Sequence, residues 1–145
     1  MTLTLYTNPQ SRGRIARWMC EELKEAAGID YETVILDYQS TMKAPDYLAI
    51  NPMGKVPAIV HDGTVITEAA AICAYLGDAF PDAGLAPASG DPERGPYYRW
   101  LFFAAGPLEP AVVIRALVVT QDADRSRMVG YGSYDDAVAA LEGAM

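Results

Sequence analysis

The sequence predicts an α/β fold in its first half, with the element order βαβαββα, followed by an all-helical second half. β-rich runs alternate with helical apolar periodicity through the first 80 or so residues. An Asp62-Gly63 pair between two β-branched runs is typical of a tight hairpin turn. Residues 82–91 are rich in Pro, Ala, Gly and Asp, and only helical patterning follows. We therefore predict domains at 1–81 and 92–145, joined by a linker at 82–91.

The first strand is predicted at Leu3–Tyr6 and the first helix at Arg12–Ala27, which Gly28 ends. Large apolar residues recur three and four positions apart along this helix and predict its buried face. They are Ile15, Trp18, Met19, Leu23 and Ala26.

Strand and helix patterns continue through the rest of the first half. We predict a strand at Tyr31–Leu36, a short helix at Ala44–Ile50 and a hairpin from residues 56–61 and 64–67. A third helix is predicted at Glu68–Phe80. The first half is thus predicted to start with a βαβ unit and to end with a hairpin and a helix.

The second half is predicted to be helical, starting at an Asp91-Pro92 cap. Helices are expected at Tyr97–Ala105, Ala111–Thr120 and Ser133–Met145, with a polar connection at Asp122–Met128. Ala111–Thr120 is apolar enough to be a strand instead. The last helix opens with Ser133-Tyr134-Asp135-Asp136, which resembles a capping box. Gly106-Pro107 and Pro110 should bend or stop the chain between the first two. The last helix has an apolar stripe with few partners left, so we expect the helical domain to be incomplete.

Composition excludes several classes of protein. With 51% apolar and 21% charged residues among 145, the chain has enough apolar material for a core, which excludes a mainly disordered protein. A net charge of −8 disfavours a nucleic-acid partner. No apolar run is long enough for a membrane span, and no signal peptide is visible. With only two cysteines and no metal-ligand spacing, we expect a cytoplasmic protein without metal.

Several motifs together resemble the thioredoxin-like half of glutathione S-transferases. The strongest are Asn51-Pro52-Met53-Gly54-Lys55-Val56-Pro57 and Thr67-Glu68-Ala69-Ala70-Ala71-Ile72, at this separation. Leu5–Ser11, Arg17–Leu23 and Ala74-Tyr75-Leu76 are similar to the family's first strand, first helix and third helix. The resemblance covers residues 1–81 well, whereas 92–145 resembles only the opening helices of the family's helical domain.

The resemblance implies a glutathione site around Val56 and Pro57. A cis Val56-Pro57 bond would let Val56 present its N–H and C=O to an extended peptide, and in the family this residue pairs with the cysteinyl unit of glutathione. The alternative is an ordinary trans proline at the start of a strand. Lys55 is a candidate for the glycyl carboxylate.

Glu68 and Ala69 open the third predicted helix, where unpaired N–H groups favour an anion. In the family the acidic residue orients the amino-terminal end of glutathione, and the next residue is usually Ser. Ala69 lacks that hydroxyl, which leaves only its backbone N–H. The alternative for Glu68 is a first-turn acid that stabilises the helix dipole.

Ser11 is the candidate activator of the glutathione thiol, because its hydroxyl and nearby N–H groups could stabilise a thiolate. Ser11 could equally serve as the N-cap of the first helix. Tyr6 is the alternative activator, and Asn8 and Arg12 are weaker candidates. Arg14 and Arg17 are interpreted as solvated helix residues.

The resemblance implies a glutathione transferase that attacks electrophilic small molecules, as in detoxification, with glutathione as co-substrate and a homodimeric assembly. The candidates for an acceptor pocket are Tyr97, Trp100, Phe103 and Glu109, although such an aromatic stripe also suits core or dimer packing. The alternative functions are a non-catalytic binding or dimerisation module and an inactive fragment of a longer transferase.

Overall fold

The computed structural model describes residues 1–117, 119 and 123–145. The predicted helix end at Thr120 and the start of the predicted connection at Asp122 lie outside these ranges. Contacts divide the chain into two compact units, Met1–Asp91 and Pro92–Met145. The first unit therefore includes the segment predicted as a linker, and the domain limits given above stay a prediction.

The first unit is built on a four-stranded sheet in the order β2-β1-β3-β4. Strand β1 pairs in parallel with β2 and antiparallel with β3, and β3 forms an antiparallel hairpin with β4. The strands are β1 Leu3–Thr7, β2 Glu32–Ile35, β3 Ala58–His61 and β4 Thr64–Thr67. The parallel pair requires a crossover, which is supplied by the first helix.

Three helices complete this unit: α1 Gly13–Ala27, α2 Pro45–Ile50 and α3 Ala69–Ala79. The predicted order βαβαββα is confirmed, with most element ends shifted by one or two residues. The hairpin turn is also confirmed, because Asp62 and Gly63 adopt φ of 46° and 82°. A turn with both central residues at positive φ matches the twist of the paired strands.

Two apolar clusters cover the two faces of the sheet. Leu5 and Ile59 belong to a cluster with α1 and α3, whereas Tyr6 and Ala58 belong to a cluster with Tyr47 of α2. Neighbouring strand residues point to opposite faces, so the sheet lies between α1 and α3 on one side and α2 on the other. This arrangement leaves the strand ends open for loops that carry polar groups.

The predicted buried face of α1 is confirmed for Leu23, which is fully buried, and wrong for Ile15 and Trp18. Ile15 and Trp18 are 48% and 69% exposed, while the residues facing the sheet are small or medium-sized. The buried residues are Gly13, Ala16, Cys20 and Leu23. They follow the same three-and-four spacing, and their small side chains let the helix approach the strands closely. Hydrophobicity alone favoured Ile15 and Trp18, which instead lie on the surface.

The second unit contains four helices in its described part: α4 Arg94–Phe103, α5 Glu109–Ala116, α6 Ala123–Ser126 and α7 Tyr134–Glu142. A π-helical turn at Ala104–Leu108 joins α4 to α5. The sequence predicted a bend or a stop at Gly106-Pro107; the regular α-helix is interrupted there without a stop, because a wider turn accommodates a proline that has no N–H.

The predicted caps of the second unit have different outcomes. Helix α4 begins at Arg94, after Glu93, so the predicted cap at Asp91-Pro92 is wrong. The cap at Ser133 is confirmed, because its hydroxyl accepts the Asp136 N–H at 3.1 Å. The short helix α6 lies within the segment predicted as a polar connection.

We expect the Cys20 thiol to stay unreactive while the protein is folded. Burial raises the pKa of Cys20 to about 12 and also raises the pKa of Cys73. Only a thiolate reacts efficiently with a disulfide reagent, and Cys20 has no exposed surface. In a Cys73→Ser variant at pH 8, reaction with a chromogenic disulfide should therefore occur only when denaturant unfolds the chain. Rapid reaction of the native variant would contradict this prediction.

Candidate functional site

The strand register brings the predicted site segments to one edge of the sheet. Ala58, the first residue of β3, lies opposite Tyr6 of β1 and Thr67 of β4. The loop after β1, the Val56-Pro57 segment before β3 and Glu68 after β4 therefore all leave the sheet at this edge. Residues that are far apart in sequence are thereby placed around one surface.

The Val56-Pro57 peptide bond is cis, as the sequence analysis predicted. Pro57 is buried and Val56 is half-buried. Val56 precedes the first residue of β3, so its N–H and C=O lie beyond the paired part of the strand. These groups have the geometry of an open strand end that an extended peptide could continue.

A cleft of about 480 Å³ lies beside this segment. It brings together three predicted site residues, Ser11, Lys55 and Val56. Its lining also includes Gln10, Arg12, Arg14, Ile15 and Tyr38. Three cationic side chains and no carboxylate are found among these lining residues, so the cleft is locally positive in an acidic protein. Such a cleft favours an anionic ligand.

The loop after β1 is fixed by Asn8 and Ser11. The buried Asn8 amide donates to the Leu36 carbonyl at 2.8 Å, and its oxygen accepts the Gln10 N–H at 2.9 Å. The Ser11 hydroxyl donates to the Asn8 carbonyl at 2.7 Å and accepts the Gly13 N–H at 2.9 Å. Asn8 thus has a structural position here, and the single Ser11 proton is directed into the loop.

The loop that carries Lys55 is held by Asn51 and Tyr47. The Lys55 carbonyl accepts hydrogen bonds from the Asn51 amide at 2.8 Å and from the Tyr47 hydroxyl at 2.6 Å. The Asn51 oxygen accepts the Met53 N–H at 3.1 Å. Burial raises the pKa of Tyr47, so its hydroxyl remains a donor at neutral pH.

Gly54 completes this loop because no other residue fits its position. It is buried with φ of 55°, and a Cβ there would lie 2.8 Å from the Met42 carbonyl. Residues with a Cβ rarely adopt this φ, and a Cβ here would also lie too close to the main chain. Lys55, the next residue, lines the cleft.

Glu68 lies where β4 joins α3 and adopts φ of 67°. A non-glycine residue at positive φ is strained, and such residues concentrate at functional sites. Its carbonyl accepts the Ile72 N–H at 2.9 Å, which starts the helix. The following residues are Ala69, Ala70 and Ala71, whose N–H groups belong to the first turn.

Tyr6 lies on the opposite face of the sheet from α1. Its ring is 5.5 Å from the Tyr47 ring and belongs to the α2 side of the core. Ser11 lines the cleft, whereas Tyr6 is not among its lining residues. This placement favours Ser11 over Tyr6 as the group nearer to a bound thiol.

The predicted acceptor residues share helix α4. Trp100 and Phe103 pack edge to face with ring centres 5.3 Å apart. The ring centres of Tyr97 and Tyr98 are also 5.3 Å apart. All three predicted residues are half-buried. Their role in an acceptor pocket stays a prediction, as does that of Glu109 at the start of α5.

Sequence reasoning missed the residues that position the site. Asn51 and Gly54 were recognised only as part of a motif and a helix end, and Gly13 was not singled out. An Asn-Pro-x-Gly run between a helix and a strand was the available signal, because Asn and Gly there indicate a turn fixed by side-chain hydrogen bonds.

A membrane-spanning helix and a metal-binding cluster are both absent from the described residues. No helix among them is long and apolar enough to cross a membrane. Within the same part of the chain, no group of three or more His, Cys, Asp or Glu side chains could hold a metal ion.

Comparison with known proteins identifies the fold. Residues 1–78 match the family model for the glutathione S-transferase N-terminal domain. The chain is 34% identical over 112 residues to glutathione S-transferase GST-4.5 of Xanthomonas campestris, covering 74% of this chain and 50% of the relative. It is 37% identical over 82 residues to glutathione S-transferase GstA of Escherichia coli O157:H7, covering 54% and 41%.

A solved structure of a sphingomonad glutathione S-transferase complexed with glutathione superposes with a TM-score of 0.74 at 30% identity. The match covers 97% of this chain and 69% of that one. The chain spans about half the length of the curated relatives it matches. The family match covers more than half of the chain and agrees with the sheet order, the cis proline and the cleft. This chain belongs to the glutathione S-transferase family.

Proposed function

We propose that the chain binds glutathione and, as part of a glutathione transferase, activates its thiol for attack on a small electrophile. The observation that carries this proposal is the positive cleft, where Ser11, Lys55 and Val56 meet beside two arginines. Relatives named as glutathione S-transferases, and a similar structure solved with glutathione, support it.

Each end of glutathione has a matching group in this proposal. The Val56 N–H and C=O pair with the cysteinyl unit, in the manner of an added strand. Glu68 attracts the ligand's ammonium group, while the first N–H groups of α3 receive the carboxylate beside it. Lys55, which lines the cleft, attracts the glycyl carboxylate. Ala69 contributes only its N–H, because it lacks the hydroxyl of the Ser that is usual at this position in the family.

The cysteinyl sulfur then lies near Ser11. A hydrogen bond from the Ser11 hydroxyl lowers the pKa of the thiol, since it stabilises the thiolate. The hydroxyl must first rotate away from the Asn8 carbonyl, which its proton faces now. The thiolate forms a bond to the electrophilic carbon, the leaving group departs with its electron pair, and the thiol proton passes to solvent.

Ser11→Ala should lower turnover by about a hundredfold and change glutathione affinity by less than about threefold. The hydroxyl acts on the thiolate, whereas most of the peptide is held elsewhere. Steady-state kinetics with a chromogenic electrophile and calorimetry with glutathione separate the two quantities. Ser11→Thr keeps a hydroxyl and should retain most turnover, and Tyr6→Phe should leave it unchanged. Equal turnover in Ser11→Ala and the parent would exclude the assigned role.

The non-catalytic binding module remains the second candidate because Ala69 lacks the hydroxyl that the family usually has at this position. Calorimetry of glutathione with this chain, beside its unfolding curve, distinguishes the two. Saturable binding with a cooperative transition supports the transferase site, whereas a cooperative fold without binding supports the module. Homodimerisation, a cytoplasmic location and the electrophile pocket at Tyr97, Trp100 and Phe103 belong to the same proposal.

A further inference from the structure

Arg14 lines the cleft assigned to glutathione and lies close to the proposed activator of the thiol. Its N–H donates to the Ser11 carbonyl at 3.3 Å, so Arg14 follows Ser11 by one turn of the chain. Residues three positions apart in such a turn are neighbours on one side of it. Both residues line the same cleft. An electrophile that reacts with a thiol beside Ser11 is therefore within reach of the long Arg14 side chain.

The Arg14 guanidinium can accept an acidic group from a ligand. Arg14 is exposed, and no carboxylate in the described part of the chain forms an ion pair with it. Arg17 of the same helix differs, because its Nε lies 3.5 Å from Glu21 Oε1. A guanidinium presents five N–H donors and stays charged at neutral pH, so it suits a carboxylate.

Glutathione does not use Arg14 in the proposed binding mode. Lys55 attracts the glycyl carboxylate, and the first N–H groups of α3 receive the other carboxylate. Both carboxylates of the peptide are therefore matched elsewhere. No carboxylate is found among the residues that line the cleft, so the positive charge of Arg14 acts on the second substrate.

Two apolar side chains form the remaining wall beside Arg14. Ile15 is 48% exposed and Tyr38 is 44% exposed, and both line the cleft. The Tyr38 hydroxyl donates to the Gln10 carbonyl at 3.4 Å, which joins the loop after β2 to the loop after β1. Apolar walls beside one guanidinium favour a ligand that combines a carbon skeleton with an acidic group.

We propose that the electrophile of this site carries an acidic group, which Arg14 binds while the electrophilic carbon meets the thiolate beside Ser11. The inference rests on the proposed transferase function and names the class of its second substrate. The sulfur forms a bond to the carbon, and the leaving group departs with the electron pair of the bond that breaks. The thiol proton passes to solvent, and the acidic group stays ionised on Arg14 throughout.

Iodoacetate and iodoacetamide are a matched pair of electrophiles for the test. They are similar in size and share the iodide leaving group, but only iodoacetate is negatively charged. Chromatography of S-alkylated glutathione gives kcat/KM for each reagent with the full chain, and this is divided by the uncatalysed rate constant with glutathione alone. The resulting acceleration should be about tenfold greater for iodoacetate, as one charge-assisted hydrogen bond provides. Equal accelerations, or a greater one for iodoacetamide, overturn the proposal.

Variants of two arginines on α1 locate the preference. Arg14→Gln removes the charge and should bring the two accelerations to about the same value by lowering that of iodoacetate alone. Arg14→Lys keeps the charge and should retain part of the preference. Arg17→Gln is the control, because Arg17 is another exposed arginine of α1 and does not line this cleft. A preference that survives in Arg14→Gln, or is lost equally in Arg17→Gln, contradicts the proposal.

The same measurements separate this inference from the proposed function. If the chain accelerates neither reagent, the transferase function fails and the substrate class fails with it. If it accelerates both equally, the transferase function stands and only the acidic electrophile is excluded. If Arg14→Gln lowers both accelerations equally, Arg14 acts on the thiol and not on the electrophile, which also overturns the proposal.

Discussion

Replacing Asn51 by alanine should destabilise the chain by about 2–3 kcal/mol and weaken glutathione binding by at least about tenfold. The buried amide joins two ends of one loop, because it donates to the Lys55 carbonyl and accepts from the Met53 N–H. Alanine leaves the Met53 N–H without its side-chain acceptor and releases the segment that carries Lys55 and Val56. Chemical denaturation and glutathione calorimetry measure the two effects.

Tyr47→Phe is the matched control for this prediction. It removes the other hydrogen bond to the same Lys55 carbonyl but keeps the ring in the core. One hydrogen bond contributes about 1 kcal/mol, so Tyr47→Phe should lose less stability than Asn51→Ala and should nearly retain the affinity for glutathione. If Tyr47→Phe costs as much as Asn51→Ala in both measurements, the loop is held by the carbonyl contact alone.

Gly13→Ala should destabilise the chain by about 1–3 kcal/mol and disturb the position of Ser11. A Cβ at this position would overlap Thr7 Oγ1 and lie 2.8 Å from Ser11 Oγ. Thr7 is buried at the end of β1, so the helix or the loop must move to relieve the overlap. Thermal unfolding gives the stability change, and turnover reports the displacement of Ser11.

Gly95→Ala provides the control for the glycine substitution. Gly95 is also helical, and a Cβ there would meet nothing within 4 Å. Alanine is the better helix former by about 0.5–1 kcal/mol, so this variant should be as stable as the parent or slightly more stable. The Thr7→Ala, Gly13→Ala double variant should recover part of the stability that Gly13→Ala loses. If it recovers none, Thr7 is not the residue that the added Cβ overlaps.

The sequence predicted the order of elements because each depended on a local signal. The Asp62-Gly63 turn, the alternating strands and the Ser133 cap were all decided by residues within a few positions. The buried face of α1 depended instead on how closely the helix approaches the sheet. Ala16 and Cys20 face the strands because they are small, and a hydrophobicity pattern does not contain that distance.

The sequence predicted which residues form the site better than it predicted the hydrogen bonds that hold them in place. Val56, Lys55 and Ser11 were found from motifs, and the strand register then placed them along one edge. The hydrogen bonds of Asn8 and Asn51 were not predictable, because each joins groups that meet only after folding. The Ser11 hydroxyl likewise has a direction that depends on the Asn8 carbonyl.

The three alanines that open α3 have a consequence for how this site can be mapped. If the peptide N–H groups of Ala69 to Ala71 and Val56 hold glutathione, their contribution survives nearly every side-chain replacement. An alanine scan is therefore blind to this part of the binding energy, however large it is. The informative changes are on the ligand, where esterifying the carboxylate assigned to the first turn of α3 removes the charge that these N–H groups bind. Recognition by the main chain would also tolerate sequence divergence, since it depends on backbone shape more than on residue identity.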